Sequence, residues 1–214
     1  MKPIYCISGL GTDEKIFINL QKHGHELKFI PWLRPHKKES LDKYAKRMAQ
    51  SIKDEFPVLL GVSFGGMIGI EIAKQMPVQK LIIISSIKSV KEMPRWMKLA
   101  GTLQLNKILP TRSYKFSEKI DNNRLGVTNK EEREFVRAYR KSADPVYLSW
   151  AIDKVVNWKN DWQPDNLVHI HGDKDRIFPI KKISPTYIVK EGTHMMIYNR
   201  AKDISKFIER ELRS

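Results

Sequence analysis

The stretch Pro57-Val58-Leu59-Leu60-Gly61-Val62-Ser63-Phe64-Gly65-Gly66 joins an apolar run of strand length to a segment in which apolar residues recur at helical spacing. This pattern predicts a strand, a very tight turn at Ser63, and a helix that begins at Phe64 and runs to Met76, just before Pro77. The glycines on either side of the serine keep the two backbones from colliding, and the turn imposes strained backbone angles on it. The amides at the start of the helix then face the serine side chain.

A Gly-x-Ser-x-Gly sequence between a strand and a helix, as at Gly61–Gly65, is typical of a nucleophile elbow. Two other readings of the motif alone stay open. Gly-rich turns between a strand and a helix also bind phosphates, and a plain tight turn has the same composition. The motif alone does not distinguish these interpretations, so the nucleophile hypothesis depends on whether the later residues supply an acid and a base.

Two later loops supply a carboxylate and an imidazole. The apolar strand predicted over residues 167–171 ends in a glycine, and Asp173 and Asp175 follow it on a loop. The stretch Glu191-Gly192-Thr193-His194 predicts another loop, after a short strand and before the last helix. A carboxylate at the end of a strand is well placed to hold the ring of His194 in one tautomer. The chain order is thus serine, acid, histidine, unlike the orders of chymotrypsin and subtilisin.

With these motifs in this order, the chain resembles the α/β-hydrolases over nearly its whole length. The resemblance implies a catalytic triad in which Ser63 is the nucleophile and His194 is the base. The acid loop is similar to the family's Gly-x-x-Asp segment, which favours Asp175 over Asp173 as the triad acid. Asp173 is then expected to be a turn former.

The exit of the first strand, Ser8-Gly9-Leu10-Gly11, resembles the oxyanion loop of the same family. By that resemblance the backbone amides of Leu10 and Phe64 would hold the oxyanion of the tetrahedral intermediate. Ser8 stands where the family usually has a histidine. That residue supports the loop and takes no part in the chemistry, so the departure leaves activity possible.

Apolar runs of strand length alternate with longer amphipathic stretches, which predicts an α/β fold with a mostly parallel sheet and helices on both faces. The strand candidates are Ile4–Ser8, Glu26–Ile30, Val58–Gly61, Lys80–Ser85, Leu167–His171 and Thr186–Val189. Two further helices are predicted over Ser40 to Asp54 and from Asn199 towards Leu212. By the resemblance, the chain begins at the family's third strand, so we expect a sheet of about six strands.

Residues 87–160 interrupt the alternation of strands and helices. They contain no clear strand, and Met, Trp and other aromatic residues recur at helical spacings. We interpret them as a helical lid or cap inserted into an α/β core of residues 1–86 and 161–214. The insertion holds 16 Lys and Arg against 8 Asp and Glu, which is about half of the net charge of +15 in a third of the chain.

The composition and the N-terminal residues indicate the cellular compartment and exclude some classes of partner. Cys6 is the only cysteine and lies in an apolar run, which indicates a buried structural thiol and a reducing compartment. The N-terminal residues read as a core strand with no signal peptide, and no apolar run could span a bilayer, so we expect a cytoplasmic protein. Basic residues alternate with acidic ones along the chain and no nucleic-acid-binding motif is present, so we expect no nucleic-acid partner.

His169 and His171 are two residues apart in a predicted strand, and we expect them to face opposite sides of the sheet and to share no metal. The chemistry that the triad implies needs neither a metal nor an organic cofactor. We therefore expect none.

The leading hypothesis is a serine hydrolase that cleaves a carboxylic ester or thioester through an acyl-enzyme intermediate. Its substrate is either a small free ester or an acyl group on an acidic carrier protein that docks on the basic insertion. The alternatives from another class are a lyase, a cofactor-free peroxidase or a binding protein with the same fold. A dehalogenase or epoxide hydrolase is disfavoured, because these enzymes need a carboxylate where the chain has Ser63.

Overall fold

The computed structural model of the protein describes residues 3–104 and 122–213. The strands are β1 (Ile4–Ile7), β2 (Leu27–Phe29), β3 (Val58–Val62), β4 (Lys80–Ile84), β5 (Leu167–Gly172) and β6 (Tyr187–Val189). They form one sheet in the order β2-β1-β3-β4-β5-β6, and every neighbouring pair is parallel. The prediction of an α/β fold with a mostly parallel sheet of about six strands is confirmed, and each strand lies within its predicted range to within one or two residues.

Residues 122–125 form a short helical segment. The other α-helices of the described residues lie one between β2 and β3, one between β3 and β4, three between β4 and β5, and two after β6. They are α1 (Leu41–Ala49), α2 (Phe64–Ala73), α3 (Arg95–Thr102), α4 (Lys130–Ser142), α5 (Pro145–Val156), α6 (Met196–Asn199) and α7 (Ala201–Arg213). None of them is both long and apolar enough to cross a membrane.

Side chains of the central strands alternate between two buried clusters, one on each face of the sheet, as a period of two requires. Tyr5 and Ile7 of β1 pack on the face covered by α1 and α2. Ile4 and Cys6 of the same strand pack on the opposite face, which α7 covers with an apolar stripe that includes Ile204. Because both faces are covered, strands such as β3 are buried at every position.

Helix α1 is shorter than the predicted range of 40–54. The hydroxyl of Ser51 donates to the carbonyl of Met48 at 2.8 Å, a local hydrogen bond that competes with the helical pattern. The carboxylate of Asp54 accepts a hydrogen bond from the hydroxyl of Tyr5 at 2.5 Å, which ties the following segment to β1. Helical periodicity in the sequence does not reveal these contacts, so the predicted helix extends too far.

The predicted insertion, residues 87–160, contains α3, α4 and α5 but no strand among its described residues. The side chain of Asn129 caps α4 by accepting from the amide of Glu132, and Asp144 caps α5 in the same way at Val146. Residues 105–121, with four of the basic side chains counted above, lie outside the described residues. The division into a core and a lid stays a prediction.

Candidate active site

Ser63 lies between the end of β3 and the start of α2, with φ of 53° and ψ of −118°. A positive φ is unfavourable for a residue with a side chain, so the surrounding structure must hold this turn in place. Its amide donates to the carbonyl of Ile84 on β4 at 2.9 Å. A side chain on Gly65 would collide with the backbone oxygens of Ile7 and Ser8, so the helix can lie this close to β1 only with glycine there.

The loops that follow β5 and β6 touch each other through two glycines. A Cβ on Gly172 would collide with the backbone of Gly192, and the amide of Lys174 donates to the Gly192 carbonyl at 2.9 Å. This contact fixes the loop of Asp175 against the loop of His194. The glycines at these two positions therefore position the carboxylate relative to the imidazole.

The structure brings the three predicted triad residues together. The Oδ2 atom of Asp175 lies 2.8 Å from Nδ1 of His194, and Nε2 of the same ring lies 3.0 Å from Oγ of Ser63. Since a carboxylate only accepts hydrogen bonds, Nδ1 carries the hydrogen, and Nε2 is left to accept the proton of the serine hydroxyl. Asp175 and His194 are both buried.

Asp175 is held ionised by its surroundings. Its Oδ1 atom accepts hydrogen bonds from the amides of Ile177 at 2.8 Å and Phe178 at 2.9 Å. Burial raises the pKa of Asp175, but the charge and hydrogen bond of His194, with His171 and the Phe178 amide, outweigh burial and bring the pKa below its ordinary value. A negative carboxylate at this position is suited to orient an imidazole and to stabilise its protonated form.

Asp173 takes a different place on the same loop. Its amide donates to the carbonyl of Val189 on β6 at 3.2 Å, while its side chain makes no hydrogen bond to His194 in the described part of the chain. Of the two carboxylates on this loop, the one at Asp175 is therefore the one that contacts the ring.

The exit loop of β1 lies against the serine. A Cβ on Gly9 would be 3.7 Å from the Cβ of Ser63, and Leu10 lines one cavity together with Ser63 and Phe64. Within residues 3–104 and 122–213, neither the amide of Leu10 nor that of Phe64 has a hydrogen-bond acceptor. Ser8 donates its hydroxyl to the carbonyl of Thr12 at 2.7 Å, so it supports the loop from within.

Trp32 belongs to this site although no sequence motif indicates it. Its indole N–H donates to the carbonyls of Gly9 and Thr12, at 3.2 and 3.1 Å. The residue lies just beyond the C-terminal end of β2, next to the exit of β1. The general rule that the carboxyl ends of neighbouring parallel strands meet at one edge is the signal that could have found it.

The prediction that His169 and His171 face opposite sides of the sheet is wrong. Residues two apart in a strand share a face, and the ring centroids are 5.2 Å apart. Nε2 of His171 donates to the carbonyl of Phe178 at 2.8 Å and lies 3.7 Å from Oδ2 of Asp175. His171 therefore packs directly behind the acid loop. No group of three or more potential ligands in the described residues could hold a metal ion.

The buried pair makes stability sensitive to acid. Burial, with the nearby charges of His171 and Lys88, brings the pKa of His169 well below its ordinary value, and burial also lowers the pKa of His171. In the unfolded chain both groups bind protons near pH 6.5. Below that pH the unfolded state holds more protons than the folded state, so the free energy of unfolding falls as the pH falls.

We predict that His169→Leu makes the free energy of unfolding less dependent on pH between 7 and 5. Removing one such group reduces the slope by up to about 1.4 kcal/mol per pH unit. Urea denaturation at a series of pH values measures the slope. The control is His36→Leu, since the side chain of His36 is exposed. Equal slopes for the His169 variant and the wild type would contradict the prediction.

Two adjoining cavities with mostly apolar walls lie near this site, and the serine lines the first of them. The first has a volume of about 250 Å³ and is lined by Leu10, Ser63, Phe64, Met67, Trp96, Met97, Ile152, Val155, Val156, Ile177 and Phe178. The second has about 390 Å³ and shares Leu10, Trp96, Ile152 and Ile177 with the first. Side chains of α3 and α5, within the predicted lid, thus form part of the wall around the serine.

No protein-family model matches the chain, and no curated protein is similar to it in sequence. Its fold is nevertheless similar to that of several solved structures, each at 14% sequence identity. A thermophilic esterase from Thermogutta terrifontis superposes with a TM-score of 0.78, covering 100% of this chain and 90% of the esterase. An esterase from Exiguobacterium antarcticum gives 0.77, and a bromoperoxidase from Bacillus anthracis gives 0.73, each covering 100% of this chain and 92% of the other. From the parallel sheet, the tight turn at its centre and these similarities, we conclude that the chain has the α/β-hydrolase fold.

Proposed function

We propose that the protein is a serine hydrolase that cleaves carboxylic esters or thioesters. The observation that carries this proposal is the continuous hydrogen-bonded chain from Asp175 through His194 to the hydroxyl of Ser63. The strained turn at the serine supports it, because such a turn exposes a nucleophile in this fold. The esterases of similar fold agree with it.

In the proposed mechanism His194 takes the proton of Ser63 as Oγ bonds to the substrate carbonyl carbon. The carbonyl oxygen becomes an oxyanion, which the amides of Leu10 and Phe64 stabilise; a lost donor of this kind costs ~3 kcal/mol. His194 then protonates the leaving alcohol or thiol as its bond to carbon breaks. Water then gives a proton to the same ring and attacks the acyl-enzyme. The ring returns this proton to Oγ of Ser63 as its bond to the acyl carbon breaks, which releases the acid and the free serine. Asp175 keeps the ring in one tautomer throughout.

The first cavity is suited to the acyl group. It lies beside Ser63, and every other lining residue is apolar. In this proposal residues 87–160 act as a lid, because α3 and α5 supply Trp96, Met97 and Val155 to the cavity wall. The volume of about 250 Å³ equals that of roughly eight water molecules in the liquid, which favours short and medium acyl chains over long ones.

The test is reaction with a fluorophosphonate probe, with the labelled peptide identified by mass spectrometry, together with turnover of p-nitrophenyl esters. We expect the label on the peptide that contains Ser63, and hydrolysis of the esters. Labelling without ester turnover would favour the carrier-bound acyl substrate or a non-ester reaction of the same triad. A folded protein that is not labelled would refute the nucleophile and favour a binding protein.

We predict that kcat/KM rises by about fourfold for each added acyl carbon, until the chain reaches roughly eight carbons, and then falls. The rise follows from burying one CH₂ group per carbon, worth ~0.8 kcal/mol, and the fall from the size of the cavity. Val155→Phe narrows the cavity and should shift the optimum to shorter chains. The control is Val146→Phe on the same helix, since Val146 is 49% exposed. An unchanged optimum in the Val155 variant would place the acyl group elsewhere.

A further inference from the structure

The indole of Trp32 donates a hydrogen bond to the carbonyl of Gly9, in the loop that would hold the oxyanion. Gly9 O and the N–H of Leu10 belong to the same peptide group. In a planar trans peptide the carbonyl and the N–H point in opposite directions. Any group that fixes the direction of the Gly9 carbonyl therefore also fixes the direction of the Leu10 N–H.

Three donors hold that carbonyl. They are the indole N–H of Trp32 at 3.2 Å, the hydroxyl of Thr12 at 2.9 Å and the amide of Thr12 at 3.1 Å. The indole also donates to the carbonyl of Thr12 at 3.1 Å, so it joins both ends of the turn. Glycine rotates more freely than any other residue, so the peptide that follows Gly9 needs such restraint to keep one orientation.

The same side chain also contacts the second proposed donor. The indole stacks on the ring of Phe64, with centroids 5.4 Å apart and planes 20° apart. It is further packed by Tyr44 and Tyr147. Trp32 therefore contacts both the carbonyl of the Gly9–Leu10 peptide and the ring of Phe64, so it touches each part of the proposed oxyanion site.

We propose that Trp32 is a positioning residue, which holds the Gly9–Leu10 peptide so that the Leu10 N–H points at the oxyanion. This proposal rests on the proposed hydrolase function. Trp32 acts through the peptide and does not touch the substrate carbonyl. Hydrogen bonds to the Gly9 oxygen also polarise the peptide, which strengthens the N–H as a donor.

The test compares Trp32→Phe with Trp150→Phe. Phenylalanine retains an aromatic ring to stack on Phe64 but lacks the indole N–H. Trp150 belongs to the same aromatic cluster, but its indole donates to the carbonyl of Glu39, away from the loop. We measure kcat and KM for p-nitrophenyl butyrate, and the inhibition constant of an alkyl trifluoromethyl ketone, whose carbonyl oxygen becomes an oxyanion when Oγ of Ser63 adds to the carbonyl carbon.

We expect Trp32→Phe to lower kcat about tenfold while KM stays within twofold of the wild-type value. The inhibition constant of the ketone should rise by the same factor of about ten. The loss stays below the 10²–10³-fold effect of removing a donor, because the two Thr12 bonds remain. Thr12→Val, which removes the hydroxyl donor, should lower kcat in the same way, and Thr12→Ser should restore it. Trp150→Phe should leave all three constants within twofold of the wild type.

Equal losses in Trp32→Phe and Trp150→Phe would overturn the proposal, since they would show a general effect on packing. A normal kcat in a folded Trp32→Phe variant would also overturn it. If Trp32→Phe does not fold, the comparison of Thr12→Val with Thr12→Ser tests the proposal instead. Equal kcat values in these two variants would show that hydrogen bonds to the Gly9 carbonyl do not position the peptide for catalysis. Failure of the hydrolase function looks different, because the wild type itself would then give no Ser63 label with the fluorophosphonate.

Discussion

Ser63→Ala is expected to abolish fluorophosphonate labelling and to lower ester turnover by roughly 10⁵-fold or more. The substitution removes the oxygen that lies 3.0 Å from Nε2 of His194, and with it the only atom proposed to attack the substrate. Losses of this size are typical when the nucleophile of a triad is removed, with only binding and oxyanion stabilisation left. Alanine and serine are similarly strained at a φ of 53°, so the variant should remain folded.

The matched control is Ser149→Ala, which makes the same change at an exposed serine of α5. It should keep the label and the wild-type kcat. Thermal denaturation of both variants checks that they are folded. If the Ser63 variant is still labelled, or still turns over esters at the wild-type rate, Ser63 is not the nucleophile.

Asp175→Asn is expected to lower kcat by about 10⁴-fold, whereas Asp173→Asn should change it by less than about threefold. The amide oxygen of the new asparagine can still accept from the amides of Ile177 and Phe178, as the carboxylate does now. Its NH₂ group then faces Nδ1 of His194, which must accept that hydrogen bond. The ring is left with its hydrogen on Nε2, where it cannot take the proton of Ser63.

The measurement is kcat for a p-nitrophenyl ester at neutral pH, with circular dichroism to confirm the fold of each variant. The two aspartates are two residues apart on one loop, so each serves as the control for the other. Loss of activity in Asp173→Asn with normal activity in Asp175→Asn would assign the acid to Asp173. Loss in both would indicate that the loop itself has been disturbed.

Most of the sheet was predictable because each strand is an uninterrupted apolar run. A strand covered on both faces needs apolar side chains at every position, as in β3, and that pattern is visible without knowledge of the partners. The end of α1 was not predictable, since the hydrogen bond between Asp54 and Tyr5 joins residues 49 positions apart. The spacing of apolar residues along a helix gives no information about such long-range contacts.

The proposed triad was accessible for a similar reason. Its residues lie on loops that follow strands, and parallel strands bring those loops to one edge of the sheet.

Trp32 was missed because its role depends on the neighbouring strand, and its own surroundings in the sequence form no motif. The side of the sheet on which His169 lies was predictable in principle, since the period of a strand puts His171 on the same face. The cavities depend on how α3 and α5 pack, which the sequence pattern does not define.

Cys6 gives this protein an internal indicator of unfolding. The thiol lies in β1 with 1% exposure, between β2 and β3, and burial raises its pKa to about 12. Alkylating reagents react with thiolates, so the native protein offers them almost no target. The rate of alkylation then follows the fraction of molecules whose sheet has opened. Because the serine probe and the thiol reagent attack different residues, one sample reports both the integrity of the nucleophile and that of the fold around it.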